Sequence, residues 1–455
     1  MSLAVAGAPG GSLGGRWTAA WICALVLAAA LYAADDVMPW SAKYPRGWVL
    51  PLRFWISDFM KWLINDASFG LFTFKQMTRS VAWLLTWPLE AAEGFLAAGF
   101  SLVFGDQTVI QLPRLSWVAV VAVAAMLGNH AGGKRLGLLM AACFLYLAVF
   151  GKWDSAMITL ASIVVAVPLG VITGLVIGVW GSRSARREAI VTPLLDLMQT
   201  VPVFAYLVPV LYLFGFGPVA AMIATMIYSV PPMVRCTLLA LKLVPAEIVE
   251  FGRMAGCSPR QLMWKVMIPS ARPTLMVGVN QVIMLSLNMV IIASMIGAGG
   301  LGFDVLTSLR RLAIGDGLEA GIAITLLAIA LDRVSQAYAA KPPPEHCGAA
   351  PGFLKRHPHL SLAALIVVTT TGLGLFIPAF QSFPEPFTLT TGPFWDASVK
   401  WININYFDQI DAVKSFLLIN ILIPFKRFLL SIPWPAGVGL IALAGYQLGG
   451  RRLAL

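Results

Sequence analysis

Apolar segments succeed one another along this chain at 117–128, 136–150, 156–180, 203–216, 219–241, 274–296, 317–338 and 360–380, parted by short polar intervals. Several are long enough to cross a hydrocarbon core about 30 Å thick, which takes about 20 apolar residues in a helix. Backbone polar groups in lipid must be satisfied within the chain, so such segments fold as helices. The expected fold is an all-α, polytopic membrane protein. Composition agrees, with 59% hydrophobic and 12% charged residues, against about a quarter charged in soluble domains. The segment 203–216 is short, carries Pro209 and is bounded by Pro202 and Gly217. An interruption of this kind is tolerated at membrane depth only where neighbouring protein satisfies the freed backbone.

The formal net charge of +11 raises nucleic acid as a partner, but the basic residues sit in short clusters beside apolar runs and form no single patch. Lys134-Arg135, then Arg183, Arg186 and Arg187, then Arg253, Arg260 and Lys265, then Lys355-Arg356 all fall on one face under this span order. The positive-inside rule makes that face the cytoplasm. The intervals 151–155 and 299–316 then lie outside, where Arg310-Arg311 is the one pair against the rule.

Cofactor and metal chemistry find no support. Cys23, Cys143, Cys236, Cys257 and Cys347 form no C-x-x-C pair, and the spacing of His346, Cys347, His357 and His359 matches no metal-binding pattern. Gly297-Ala-Gly299-Gly-Leu-Gly302 satisfies G-x-G-x-x-G, yet it ends a membrane span instead of opening a helix after a strand. It reads as a flexible exit to the outer side. No G-x-x-x-x-G-K-[ST] motif occurs, so the chain is not itself an ATPase. Glu188, Asp196 and Asp332 suit a proton relay by residue type, but none has an acidic or histidine partner deep in a span, and Asp332-Arg333 reads as a local ion pair.

The chain divides as follows. Residues 1–54 hold a Gly/Ala/Ser tail and a first span near 17–34, read as uncleaved, with a cleaved signal peptide as the alternative. Residues 55–140 hold amphipathic helices on the outer face and the span after them. Residues 141–340 form the core, with a structured cytoplasmic loop at 247–270, and 341–359 form a cytoplasmic linker that opens with KPPPEHCGAAPG. From about 360 to 455 the chain echoes its own beginning. Lys61-Trp62-Leu63-Ile64-Asn65 returns as Lys400-Trp401-Ile402-Asn403-Ile404-Asn405, and Gly132-Gly-Lys-Arg-Leu-Gly-Leu138 as Gly449-Gly-Arg-Arg-Leu-Ala-Leu455. Pro424 to Leu430 answers Pro88 to Phe95, Pro433-Trp434 answers the Pro113/Trp117 entrance to a span, and 360–380 answers 17–34. This reads as the truncated start of a second copy; the alternative is chance similarity between membrane segments.

Two sets of residues stand out. In the loop 247–270, Glu247 and Glu250 open a short helix, Gly256 and Ser258-Pro259 give a turn, and a second helix restarts at a Pro in its first position. A helix-turn-helix carrying Arg253, Arg260 and Lys265 is suited to grip a partner protein, whereas a plain solvated basic loop explains its charge but not its spacing. In the span 274–296, Asn280, Met284, Asn288 and Met295 recur near helical spacing with Gln281 and Ser294 beside them. Amides in a bilayer face the bundle, another helix or water. Interhelical glue and a pore lining are both open.

The loop resembles the EAA loop of ABC importer permeases, in which E-A-A is followed by three residues, Gly, nine residues and I-x-L-P. Glu250 begins it here, Gly256 takes the glycine, Val266 the isoleucine and Ile268-Pro269 the Leu-Pro, while Phe251 and Gly252 depart from the two alanines. Residues 198–209, 251–274, 278–302 and 329–337 are similar to glycine betaine/proline permeases of the osmoprotectant subfamily, and the likeness covers about 55 to 340. It implies a type I ABC importer permease in a bacterial inner membrane and not an enzyme. The expected partners are a cytoplasmic ATPase, a periplasmic substrate-binding protein, a second permease copy and membrane lipid. The substrate would be a small zwitterionic or quaternary ammonium solute. The resemblance assigns ATPase coupling to Glu250, Arg253, Gly256, Ser258, Pro259, Arg260 and Pro269. It assigns the translocation path to Gln199, Pro202, Tyr206, Asn280, Met284, Asn288 and Ser294. A non-transporting scaffold or regulatory protein is the alternative.

Overall fold

The computed structural model describes residues 13–33, 38–42, 44–68, 70, 72–104, 108–341 and 358–454. The start of the tail, the site at His346, Cys347 and His357, and most of the 341–359 linker lie outside them. The chain forms two compact units, one of residues 60–399 and one of residues 1–59 with 400–455.

In chain order the helices to the end of the core are α1 (Leu13–Ala33), α2 (Pro39–Ala42), α3 (Leu52–Asn65), α4 (Phe74–Glu93), α5 (Trp117–Gly132), α6 (Lys134–Val149), α7 (Trp153–Ser182) and α8 (Ala185–Thr200). After these come α9 (Val203–Phe214), α10 (Pro218–Lys242), α11 (Ala246–Met254), α12 (Pro259–Gln261), α13 (Ile268–Ser270), α14 (Arg272–Ser294), α15 (Gly300–Arg311) and α16 (Ile314–Ala340). By length and apolarity α7, α10, α14 and α16 suffice to cross a membrane. Helices α8 and α9 meet at a bend of 102°, where Pro202 denies the backbone a donor. The short segment read from sequence is thus the second limb of a broken span.

The larger unit is built around α7. One side of this helix presents Gly170, Gly174 and Gly178, four residues apart and therefore on one face. A Cβ at Gly174 would lie 2.6 Å from the Met233 Cβ, and one at Gly178 would lie 2.5 Å from the Thr237 Cβ. The glycines let α10 approach backbone to backbone, which in lipid takes the place of a hydrophobic driving force. Gly174→Leu must separate the two helices or displace Met233. We expect it to destabilise the fold by about 2 kcal/mol, seen as a lower midpoint in thermal unfolding of the detergent-solubilised protein. On another side, Met157 and Leu160 of α7 join Phe144 and Leu147 of α6 and Ala323 and Leu327 of α16 in one buried cluster.

The structure departs from the sequence reading at three places. Phe100–Phe104 pairs antiparallel with Thr108–Leu112, a hairpin in a chain expected to be all helical. Both runs are rich in β-branched and aromatic residues, which favour extended backbone. The interval 299–316, read as an outer loop, is largely the helix α15. Nor is the glycine motif before it a flexible exit. Gly297, Gly299 and Gly300 have φ values of +96°, +70° and +71°, and the Leu301 N–H donates to Thr159 Oγ1 at 2.9 Å, so the turn is packed against α7. Asp332, read as paired with Arg333, accepts both its hydrogen bonds from the Gln336 amide one turn on.

Residues 358–399 also belong to the larger unit. The helix Pro358–Phe376 packs on α5, and the Leu389 N–H donates to the Val149 carbonyl at 2.7 Å. Glu319, only 1% exposed, aims its Oε1 at the turn that follows. That oxygen accepts from the Gly392 N–H at 2.7 Å, the Thr391 hydroxyl at 2.9 Å, the Thr390 hydroxyl at 3.1 Å and the Thr391 N–H. A buried carboxylate is stable when its charge is met by several donors, here two of them orphan N–H groups at the start of the helix Gly392–Asn405.

In the smaller unit α1 packs along the helix Trp434–Gly449. Trp17 stacks at a tilt on Tyr446, with ring centroids 5.8 Å apart, and Trp21 Nε1 donates to Gln447 Oε1 at 2.9 Å.

Candidate coupling loop and translocation path

Helix α11 ends because Gly256 adopts φ +76°, a left-handed conformation that closes the last turn. The Cys257 N–H then returns to the Gly252 carbonyl at 3.1 Å. Ser258 restarts the chain as an N-cap. Its hydroxyl accepts from the Gln261 N–H while the Gln261 side chain accepts from the Ser258 N–H, a capping box with Pro259 in the first position. The second helix runs through a π-helical turn, Leu262–Met267, into α13 and then α14.

Gly252, where the resembled pattern has alanine, is buried between the two short helices. A Cβ there would lie 2.6 Å from Leu262 Cδ1 and 3.4 Å from Val266 Cγ2. The departure from E-A-A thus has a packing reason that the sequence reading lacked. It allows α11 to close tightly on the π turn.

The outward face of this helix-turn-helix is mixed. Glu250, Arg253, Gly256, Ser258, Pro259, Arg260 and Pro269 are all exposed, as is Lys265. Among them stand Phe251, Met254 and Trp264, which are 69%, 81% and 48% exposed. Large apolar side chains clustered with cations at a surface mark a protein-docking face. The basic charge was legible in the sequence, whereas the apolar component was not singled out.

The expected path residues fall into three groups. Met284 and Asn288 lie on an exposed stripe of α14 that also includes Val277, Gln281, Ile291 and Met295. Asn280 is half-buried beside that stripe, and its Oδ1 has no hydrogen-bond partner. Ser294 lies off it, buried, with its hydroxyl donating to the Ile291 carbonyl at 2.6 Å. Gln199 and Pro202 are exposed at the bend between α8 and α9, and Phe204, Val208 and Tyr212 form an exposed stripe on α9. Tyr206 points the other way, its hydroxyl buried without a partner. A buried orphan hydroxyl costs about 1–3 kcal/mol. Tyr206→Phe is therefore expected to leave thermal stability unchanged or slightly raised. If this oxygen meets solute during transport, the same variant raises the KM of uptake severalfold, which a concentration series would read directly.

Two of the three acids weighed for a proton relay are instead tied to cations of α10. Asp196 pairs with Arg235, and Glu188 with Lys242. These ion pairs brace α8 against α10. A small cavity between α7, α10 and α14 is lined by Thr159, Ser162, Thr225 and Ser286, and has room for about one water, at 30 Å³. Among the described residues, no group of three or more His, Cys, Asp or Glu side chains is placed to hold a metal ion.

Residues 166–340 match the family model of the binding-protein-dependent transport system inner membrane component. The trimethylamine N-oxide transport system permease protein TmoV of Pelagibacter ubique is 37% identical over 426 residues, 89% of this chain and 58% of the relative. Its counterpart in Ruegeria pomeroyi is 35% identical over 93% of this chain and 63% of its own length. The chain thus spans about three fifths of the length of these two relatives. The glycine betaine/proline betaine transport system permease protein ProW of Escherichia coli is 37% identical over 289 residues, 64% of this chain and 75% of the relative. With that coverage and the span-forming helices above, the chain is a multi-pass inner-membrane protein that belongs to the family of permease subunits of binding-protein-dependent transport systems.

Proposed function

We propose that the chain is the permease subunit of an ABC importer for betaine-type compatible solutes, small zwitterionic or quaternary ammonium compounds that include glycine betaine and trimethylamine N-oxide. The single observation that carries this reading is the exposed face of the 247–270 loop, where Phe251, Met254 and Trp264 stand among Arg253, Arg260 and Lys265. A separate cytoplasmic ATPase docks there, and a soluble binding protein delivers solute to the opposite face. The path runs along the exposed stripes of α14 and α9, because amides such as Gln281 and Asn288 are costly against lipid. ATP-driven closure of the motor favours one of two states of the permease, and differential affinity for these states moves the equilibrium. The test is uptake of labelled glycine betaine and trimethylamine N-oxide into cells expressing the chain together with an ATPase and a substrate-binding protein of the same transporter family. Uptake that needs all three supports the reading, and accumulation no greater than in cells without the chain overturns it.

A further inference from the structure

The sequence echo has a counterpart in three dimensions. An offset of 339 residues pairs Lys61 with Lys400 (400 − 61). The same offset pairs the four-residue helix Pro39–Ala42 with Pro378–Gln381, and the 3-10 turn Arg46–Trp48 with Glu385–Phe387. Within one residue it also pairs Leu52–Asn65 with Gly392–Asn405, both helices of 14 residues. A second offset, 317 (434 − 117), pairs α5 with Trp434–Gly449, each of 16 residues, and Gly133 at φ +80° with Gly450 at φ +69°.

The contacts of these matched elements are crossed. Trp434 Nε1 donates to the Trp40 carbonyl at 2.9 Å, and Trp117 Nε1 donates to the Ala379 carbonyl at 2.9 Å. Trp40 and Ala379 are equivalent under the first offset, as Trp117 and Trp434 are under the second. Tyr44 meets Trp434 edge to face at 5.0 Å and 72°, and its equivalent Phe383 meets Trp117 at 5.1 Å and 77°. Each arm therefore makes one matched bond and one matched ring contact, and makes them with the helix belonging to the other copy. The chain also leaves one compact unit between 59 and 60 and returns to it between 399 and 400, which are equivalent positions to within one residue.

We propose that residues 358–455 begin a second permease copy and that the two copies exchange their N-terminal arms. Leu13–Ala33 and Pro39–Ala42 of the first copy pack on Trp434–Gly449 of the second, and Pro358–Phe376 and Pro378–Gln381 of the second pack on α5 of the first. The partner that fits the first arm is the 434–449 helix and not the chain's own α5. Chance similarity of two membrane segments does not account for paired hydrogen bonds and ring contacts at matched positions in both directions. The exchange is independent of which solute is carried.

The test uses the full chain in membranes, with its own cysteines replaced and a protease site placed within residues 341–352. Exchanged pairs are Trp40→Cys with Trp434→Cys, and Trp117→Cys with Ala379→Cys. Unexchanged pairs are Trp40→Cys with Trp117→Cys, and Ala379→Cys with Trp434→Cys. Because loss of these tryptophans can itself disturb folding, Trp21→Cys with Gln447→Cys serves as an exchanged pair that spares them, against Trp21→Cys with His130→Cys. After a short bifunctional thiol reagent and cleavage, exchanged pairs are expected to retain a band of uncut size, and unexchanged pairs to give two fragments of unshifted mobility. Loss of that band by the exchanged pairs, a shifted mobility of one fragment that reveals a crosslink within it in the unexchanged pairs, or a band of two chains' size overturns the proposal.

Discussion

Gly256→Asp is expected to bring solute uptake down to background while the protein still reaches the membrane. The turn has space for a side chain, since nothing lies within 4 Å of a Cβ built at Gly256. The cost to the fold is the left-handed backbone at φ +76°, about 1–2 kcal/mol for an ordinary L residue and less for Asp, which tolerates this region. A carboxylate at this point stands between α11 and the Ser258 cap, on the face proposed to dock the ATPase. Covering it with a partner buries an unpaired charge, which in an interface costs several kcal/mol. Gly256→Ala is the control, because it carries at least as large a backbone cost without the charge and should keep most of the uptake. Normal uptake by the Asp variant, with equal amounts of protein in the membrane, would remove the coupling role of the loop.

The largest stability effect is expected at Glu319. Replacing it with Ala takes the acceptor from the Thr391 N–H and from the Thr390 and Thr391 hydroxyls, and leaves the buried Gly392 N–H with only the Thr390 hydroxyl at 3.3 Å. Each unsatisfied donor costs about 1–3 kcal/mol, partly relieved where water enters, so a net loss of about 3 kcal/mol is expected. Thermal unfolding in detergent would read it as a lowered midpoint. Limited proteolysis should also cut near residues 388–392 before it cuts the core. Glu319→Gln keeps one acceptor oxygen and should lose roughly half as much. A midpoint unchanged in Glu319→Ala would show that the carboxylate does not hold this turn.

What could be read from sequence was local. The helix-turn-helix followed from Ser258, Pro259 and Gly256 because capping and left-handed turns are governed by residues within a few positions. The break before α9 followed from Pro202 in the same way. Glu319 escaped notice because its partners lie over 70 residues further on, and one acid near the end of an apolar run looks like a boundary. The glycines of α7 carried a four-residue signal that was available in the sequence and was not used. The reason for Gly252 could not be found without Leu262 and Val266 opposite it. The hairpin was masked by its membrane-like composition, which suits a buried helix as well as a strand.

The exposed stripe on α14 has a further meaning. Val277, Gln281, Met284, Asn288, Ile291 and Met295 carry no formal charge and nothing that titrates near neutrality. If the proposed path runs along it, a wall of amides and polarisable thioethers would give a dipolar solute no counter-ion to cling to and no proton to exchange. Throughput along such a surface should be nearly flat as external acidity changes, and should respond weakly to ionic strength. A passenger bearing both signs of charge in balance would leave it as readily as it arrived.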